Sequence, residues 1–218
     1  MIRISRISII FFLATATLLS LLATDAMGAP KALELNSKEK VIVKRIEKYF
    51  NGIKSLQARF QQFSSNGNQA QGKISILRPG MLRIEYDPPT PVEIIADGTW
   101  LIYNDKEMKQ ADHYPLGSTP ANILVKKNIS FTSGELMITR FDEESGVFGL
   151  TVAQSKDPEG ELTLIFSDRP LTLRKWVVTD VQGVKTSVTL TETRFDAPLN
   201  PNMFKFIDPY SSGESFGD

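Results

Sequence analysis

The stretch from Gly72 to Gln110, GKISILRPGMLRIEYDPPTPVEIIADGTWLIYNDKEMKQ, constrains the fold of this chain more than any other, because four strand-like runs follow one another in it. Lys73 to Leu77 is short and β-branched, and Pro79-Gly80 supplies a turn. Met81 to Asp87 then alternates, with Leu82, Ile84 and Tyr86 on one face and Arg83, Glu85 and Asp87 on the other. Such alternation demands one buried and one wet face. Pro88, Pro89 and Pro91 interrupt the ladder, because proline donates no backbone hydrogen bond. Val92 to Ala96 resumes it, and Asp97-Gly98 turns the chain into Thr99 to Asn104. The stretch reads as a β-meander with one dry face.

The chain opens on a different signal. Arg3 and Arg6 precede an apolar run from Ile7 to Leu22 followed by small residues, which is the layout of a secretory signal peptide. A bilayer span needs about 20 apolar residues, and this run is at the short end, with no basic stop-transfer cluster after it. Residues 1–28 are therefore expected to be cleaved, near Ala26 or Gly28, which exports the remainder; Pro30 disfavours a cut after Ala29. Residues 29–218 are expected to form one domain, with a mobile tail from residue 210 onward. The chain has no cysteine, so no disulfide, no thiolate nucleophile and no thioether-linked lipid is available to it. Lys plus Arg and Asp plus Glu are equal at 25 each, which removes the electrostatic case for a nucleic-acid partner. The exported part, about 190 residues, is long enough to bury a core without staples.

Taken in order, Ser37 is expected to cap a helix in which Ile42, Ile46, Tyr49, Phe50 and Ile53 recur at spacings of three and four. It should end at Asn51-Gly52 in a left-handed closing conformation. Leu56, Ala58 and Phe60 alternate with Gln57, Arg59 and Gln61 as a strand, and Asn66-Gly67 turns it back into the meander. After Gln110 the strand pattern lapses. Ser118 or Thr119 is then expected to cap a short helix through Ala121, Ile123, Leu124 and Val125, either a core plug or a movable lid. From Leu136 strand patterning returns in five runs, Leu136 to Phe141, Val147 to Gln154, Leu162 to Ser167, Leu171 to Thr179 and Val184 to Arg194. A helical turn and a last short strand are expected around Met203 to Phe206. Strands at this spacing, with short connections, imply an antiparallel β-sandwich or barrel of ten or eleven strands.

Catalytic constellations are scarce. His113 is the only histidine and falls in an apparent loop, without a second imidazole or a thiolate for a metal site and without a GxSxG elbow for a hydrolase. Asp142-Glu143-Glu144 reads as a solvated turn, and no phosphate-binding glycine loop occurs; no cofactor is expected. What is abundant is apolar surface on strands, contributed by Phe60, Ile74, Ile76, Leu82, Ile84, Ile94, Leu162, Leu164 and Phe166. A curved sheet can use this surface as a filled core or as an open pocket for an apolar ligand.

The run Arg78-Pro79, Leu82-Arg83-Ile84 with Tyr86, a proline-bearing turn, Ile94-Ile95-Ala96-Asp97-Gly98, Leu101 with Tyr103-Asn104, and Gln110 resembles the signature of the periplasmic outer-membrane lipoprotein carrier family, LolA-like. The strand Leu56 to Gln62, the Thr119-Pro120 helix and the closing Met203-Phe204-Lys205-Phe206 with Pro209 extend the likeness over nearly the whole exported chain. The resemblance implies an unclosed antiparallel β-barrel with helices as a lid over a hydrophobic cavity. It implies a monomeric, non-enzymatic carrier that takes acylated lipoproteins from an inner-membrane ABC transporter complex to an outer-membrane acceptor. The lipid-binding residues expected on that basis are Phe60, Ile74, Ile76, Leu82, Ile84, Tyr86, Ile94 and Leu124. In the family the arginine matching Arg78 hydrogen-bonds lid-helix carbonyls in the closed form, so Arg78 is the expected latch. The related acceptor is anchored through a cysteine, which this chain lacks. A binding module for free lipid or another apolar ligand is the alternative use of the same cavity.

Overall fold

The structure, a computed structural model, describes residues 31–132, 134–156 and 160–210. The expected signal peptide with its cleavage site and the chain beyond Tyr210 lie outside the described residues, as does part of the turn expected between Asp157 and Gly160.

The first helix, α1 (Ser37–Gly52), buries Ile42, Val43, Ile46 and Phe50. Its cap is Asn36, not Ser37. The Asn36 side chain accepts from the Glu39 N–H at 3.0 Å while the Glu39 carboxylate accepts from the Asn36 N–H at 2.8 Å. This reciprocal pair satisfies two donors that a serine one residue later would leave open. The far end also departs from the expected closure. Neither Asn51 nor Gly52 has a positive φ, and the chain leaves through an extended Ile53 whose N–H reaches the Phe50 carbonyl. Asn51 is used elsewhere: its amide donates to the Ile129 carbonyl and accepts from the Ile129 N–H, both at 2.8 Å.

Eleven strands follow: β1 (Ser55–Ser64), β2 (Gln69–Leu77), β3 (Met81–Tyr86), β4 (Val92–Asp97), β5 (Trp100–Asp105), β6 (Gln110–Pro115), β7 (Leu136–Glu144), β8 (Val147–Gln154), β9 (Gly160–Ser167), β10 (Thr172–Asp180) and β11 (Lys185–Phe195). They make one antiparallel sheet in the order β6-β5-β4-β3-β2-β1-β11-β10-β9-β8-β7. The first and last strands pair at its centre, and β6 and β7 remain separate edges, so the barrel is unclosed. The chain runs outward to β6, crosses over, and returns from β7. The crossover carries the short helix α2 (Ala121–Val125).

Strand β6 corrects the expectation that the pattern lapses after Gln110. Its residues are half-buried or exposed, so no apolar alternation marks it, and its ladder with β5 from Trp100↔Pro115 to Asp105↔Gln110 holds it in place. His113 therefore lies on a strand, not in a loop. The acidic run at Asp142 likewise extends β7, and the turn is Ser145-Gly146, both with positive φ. The strand expected near Phe206 does not form. After a helical turn at Pro201–Phe204 the chain crosses the outer face of β3 to β6, where Arg83 donates to the Met203 carbonyl at 2.6 Å and Tyr210 to the Asn104 side chain at 3.0 Å. This strap covers Ile95 and Ile102, which point outward from the sheet and yet are buried.

On the inner face, α1 closes one end. Tyr49 and Phe50 meet the Phe166 ring edge-on at 6.1 and 6.5 Å, and the Tyr49 hydroxyl accepts from the Leu173 N–H at 3.1 Å. These contacts fill the end of the barrel beneath α1 and leave the other end of the inner face to α2.

Candidate functional site: an apolar cavity beneath a latched helix

The inner faces of β1 to β4 and β9 to β11 are set by register. Ile74 pairs with Ile84 and Ile84 with Ile94, while Phe60 stands between Gly72 and Leu190. Period-two geometry then places all these side chains on one concave surface. Between that surface and α2 lies a cavity of about 300 Å³. Its wall comprises Phe60, Gln62, Ile74, Leu82, Ile84, Tyr86, Ile94, Pro120, Ala121, Leu124, Leu162, Trp176, Val178, Thr186 and Val188. Phe60, Ile74, Leu82, Leu162, Trp176 and Val188 are buried and make the floor, Leu124 is buried on the α2 side, and the others are half-buried.

Of the residues expected from the sequence, Phe60, Ile74, Leu82, Ile84, Tyr86, Ile94 and Leu124 come together on this wall. Ile76 shares their face but pairs with Leu56 and Leu82 nearer the α1 end, where it is packed into the core and does not line the cavity. The sequence reading missed Gln62, Pro120, Ala121, Trp176, Val178, Thr186 and Val188. The β10 and β11 positions did carry a signal, since Trp176, Val178, Thr186 and Val188 alternate with outward residues. Only the pairings Trp176↔Val188 and Val178↔Leu162 show which face turns inward.

The roof is a helix of five residues, too short to hold itself together in water. Ser118 and Thr119 do not cap it; their hydroxyls donate to the carbonyls of Pro115 and Leu116, both at 2.9 Å, and Pro120 occupies the cap position without a side-chain bond. The helix is anchored at its other end. The Gly80 N–H donates to the Val125 carbonyl at 2.8 Å, and Arg78 Nε donates to the Lys126 carbonyl at 2.8 Å, with Nη2 on the same oxygen. The β2–β3 turn thus supplies the donors that the last carbonyls of α2 lack. Arg78 also donates through Nη1 to the Phe50 carbonyl and, at 3.5 Å, to that of Ile53, and its guanidinium lies 5.3 Å from the centre of the Phe50 ring. One side chain therefore ties the C-terminal ends of both helices to the sheet, a link to α1 that the sequence reading did not anticipate. Burial lowers the Arg78 pKa from its ordinary value, yet a guanidinium stays charged in proteins, so every one of these bonds is charge-assisted.

Among the described residues, no Asp, Glu, Lys, Arg or His belongs to the cavity wall. Its titratable group is the Tyr86 phenol, pushed up to about 12 mainly by desolvation. His113 is on the outer surface, its ring 6.4 Å from Trp100 and 6.1 Å from Phe206. Among the described residues no cluster of three or more His, Cys, Asp or Glu side chains suits a metal ion, and no helix is long and apolar enough to cross a membrane. The arrangement offers a dry compartment for an apolar chain and a roof held by one cation.

Comparison with known proteins agrees with this geometry. The family described as "Outer membrane lipoprotein carrier protein LolA" matches residues 51–207. An outer-membrane lipoprotein carrier protein of Chromobacterium violaceum is 27% identical over 183 residues, covering 81% of this chain and 88% of its own. Its counterpart from Pseudomonas aeruginosa is 26% identical over 201 residues, covering 86% of this chain and 92% of its own. In fold, the chain is similar to a putative outer membrane lipoprotein-sorting protein domain from Vibrio parahaemolyticus, with a TM-score of 0.50 at 12% identity over 78% of this chain and 97% of that one. With an unclosed eleven-stranded sheet, a roofed apolar cavity and a family match that spans most of its length, the chain belongs to the LolA family of outer-membrane lipoprotein carrier proteins.

Proposed function

We propose that this protein is a soluble periplasmic chaperone that shields the acyl chains of lipoproteins in the cavity beneath α2 and shuttles them from the inner to the outer membrane. The observation that carries the reading is the pairing of an apolar cavity with a roof latched by Arg78. Family membership supports it. The chain receives its cargo from an inner-membrane ABC transporter complex and gives it to an outer-membrane acceptor; it performs no covalent chemistry on it.

Magnitudes favour such a cycle. Burying an acyl chain gains about 0.8 kcal/mol per CH₂, on the order of 10 kcal/mol for one chain. A charge-assisted hydrogen bond contributes about 1.5–3 kcal/mol. Cargo therefore outweighs the latch and can lift the roof. It has to, because about 300 Å³ is at the small end of ligand pockets and holds no set of three fatty chains.

The test is to incubate the purified protein with inner-membrane vesicles carrying a triacylated lipoprotein, the transporter and ATP. A soluble one-to-one complex of carrier and lipoprotein is expected. Recovery of the lipoprotein only in the membrane fraction would sink the proposal, and co-purified phospholipid without lipoprotein would instead favour a free-lipid binding module.

A further inference from the structure

The inner face of the barrel changes character toward one end. Along β1 it reads Leu56, Ala58 and Phe60, all buried, and then Gln62 and Ser64, both half-buried. Along β11 it reads Leu190 and Val188, buried, and then Thr186, half-buried. Along β3 it passes from the buried Leu82 through Ile84 to Tyr86. Three strands thus switch from apolar to hydrogen-bonding side chains at the same mouth, far from the end that α1 closes. Gln62, Tyr86 and Thr186 also belong to the cavity wall, where, among the described residues, the remaining side chains are apolar apart from the indole N–H of Trp176.

Their mutual geometry is specific. The Tyr86 hydroxyl donates to Gln62 Oε1 at 2.9 Å. That bond orients the amide and leaves Nε2 as its remaining donor, and Nε2 has no acceptor among the described residues. The phenol is a dependable donor here, since desolvation holds its pKa far above neutrality. Gln62 also borders a second groove of about 330 Å³, whose wall carries Gln61, Gln69, Gln71, Asp87 and Thr90 beside Phe63, Ala70, Pro88 and Pro89. The amide therefore stands at the boundary between a dry compartment and a wet one. A half-buried donor in that position is best matched by a ligand with an acceptor placed where its apolar tail begins, because an alkyl group would leave the amide unpaired.

Resting on the carrier reading above, we infer that Gln62, positioned by Tyr86 and flanked by Thr186, is a head-group subsite that hydrogen-bonds the ester carbonyl of an acylated glyceryl ligand. The floor holds hydrocarbon without regard to its chemistry. The collar distinguishes an ester from a bare chain and sets how deep the tail enters.

The experiment uses two synthetic probes that differ at the relevant atoms: a peptide bearing S-dipalmitoylglyceryl-cysteine, and the same peptide with both esters replaced by ether linkages, which lack the carbonyl. Titrated into the purified protein, the ester probe is expected to bind about three- to tenfold more tightly than the ether, the range of one neutral hydrogen bond. Gln62→Met should remove that preference by weakening the ester probe alone. Gln62→Glu, which keeps the acceptor for Tyr86 but lacks the amide donor, should do the same and covers the case of a Met variant that does not fold. Tyr86→Phe should reduce the preference while keeping the ring. Equal affinity of the parent for both probes, or equal weakening of both by Gln62→Met, overturns the subsite and leaves the carrier reading intact. If the parent binds neither probe, the carrier reading and the subsite fall together.

Discussion

Phe60 and Tyr86 meet edge to face, with ring centres 5.3 Å apart and planes at 88°, directly over Gly72. Gly72 is the register partner of both, on the strand between them, and its missing side chain is what lets the two rings touch. A Cβ there would meet Cε1 of Phe60 at 2.9 Å and the carbonyl oxygen of Glu85. Gly72→Ala should therefore lower stability by about 1–3 kcal/mol, as overpacking does. The check is a urea midpoint at unchanged slope, and a midpoint equal to that of the parent would show that the contact relaxes freely.

Arg78→Leu removes the guanidinium donors that hold the Lys126 carbonyl and leaves the Phe50 carbonyl with the Ile53 N–H alone. The roof should open more readily: amide exchange at Gly80, whose N–H bonds Val125, should speed up roughly tenfold or more, as a loss of 1.5–3 kcal/mol implies. The variant should still load lipoprotein from inner-membrane vesicles but release it poorly, because the closed, empty state is no longer favoured. Unimpaired transfer would remove Arg78 from the cycle.

Trp176 is on the cavity floor and Trp100 is exposed on the opposite surface, so the two tryptophans report separately. A palmitoyl probe brominated along its chain should quench Trp176, and Trp176→Phe should abolish the quenching while Trp100→Phe leaves it. Quenching that follows Trp100 instead would place the acyl chain outside the barrel.

Arg59 holds the Asp87 carboxylate through a hydrogen-bonded ion pair, which depresses the Asp87 pKa below 3.8 against a smaller opposing effect of burial. The folded value lies below the unfolded one, so the pair stabilises the fold above the ordinary aspartate pKa and loses its effect as pH falls through the depressed value. Between about pH 6 and pH 3, Asp87→Asn should flatten part of the fall in the urea midpoint. Curves of parent and variant that run parallel would refute this.

Asn51→Ala strips both partners from the Ile129 backbone at the return from the roof to β7. A loss of about 1–3 kcal/mol is expected, with faster exchange of the Ile129 amide. Asn51→Asp, which keeps the acceptor alone, should fall between the two.

Much of the architecture is legible in the chain because apolar side chains recur with a strand or helix period. The alternation at Leu82, Ile84 and Tyr86 fixes one dry face, and the apolar spacing from Ile42 to Phe50 fixes the covering helix. β6 escaped notice because an edge strand at the barrel's rim buries too little to show a pattern. Ile76 was grouped with Ile74 because they share a face, and period says nothing about depth along the strand. Asn36 took the cap from Ser37 because Glu39 completes a reciprocal bond with it, a choice between neighbours that propensity does not resolve.

By itself, then, the sequence determined that strands would form, which of their faces would be dry, and that a short helix would interrupt them. Only the tertiary structure decided that β1 and β11 close the sheet at its centre, that Trp176 and Val188 face Phe60 across the cavity, and that Arg78 reaches two helix ends at once. The reason is physical: periodicity is a local property of consecutive side chains. Pairing between strands far apart in the chain, and the direction in which a long cation folds back onto distant carbonyls, depend on contacts that exist only once the sheet has curved.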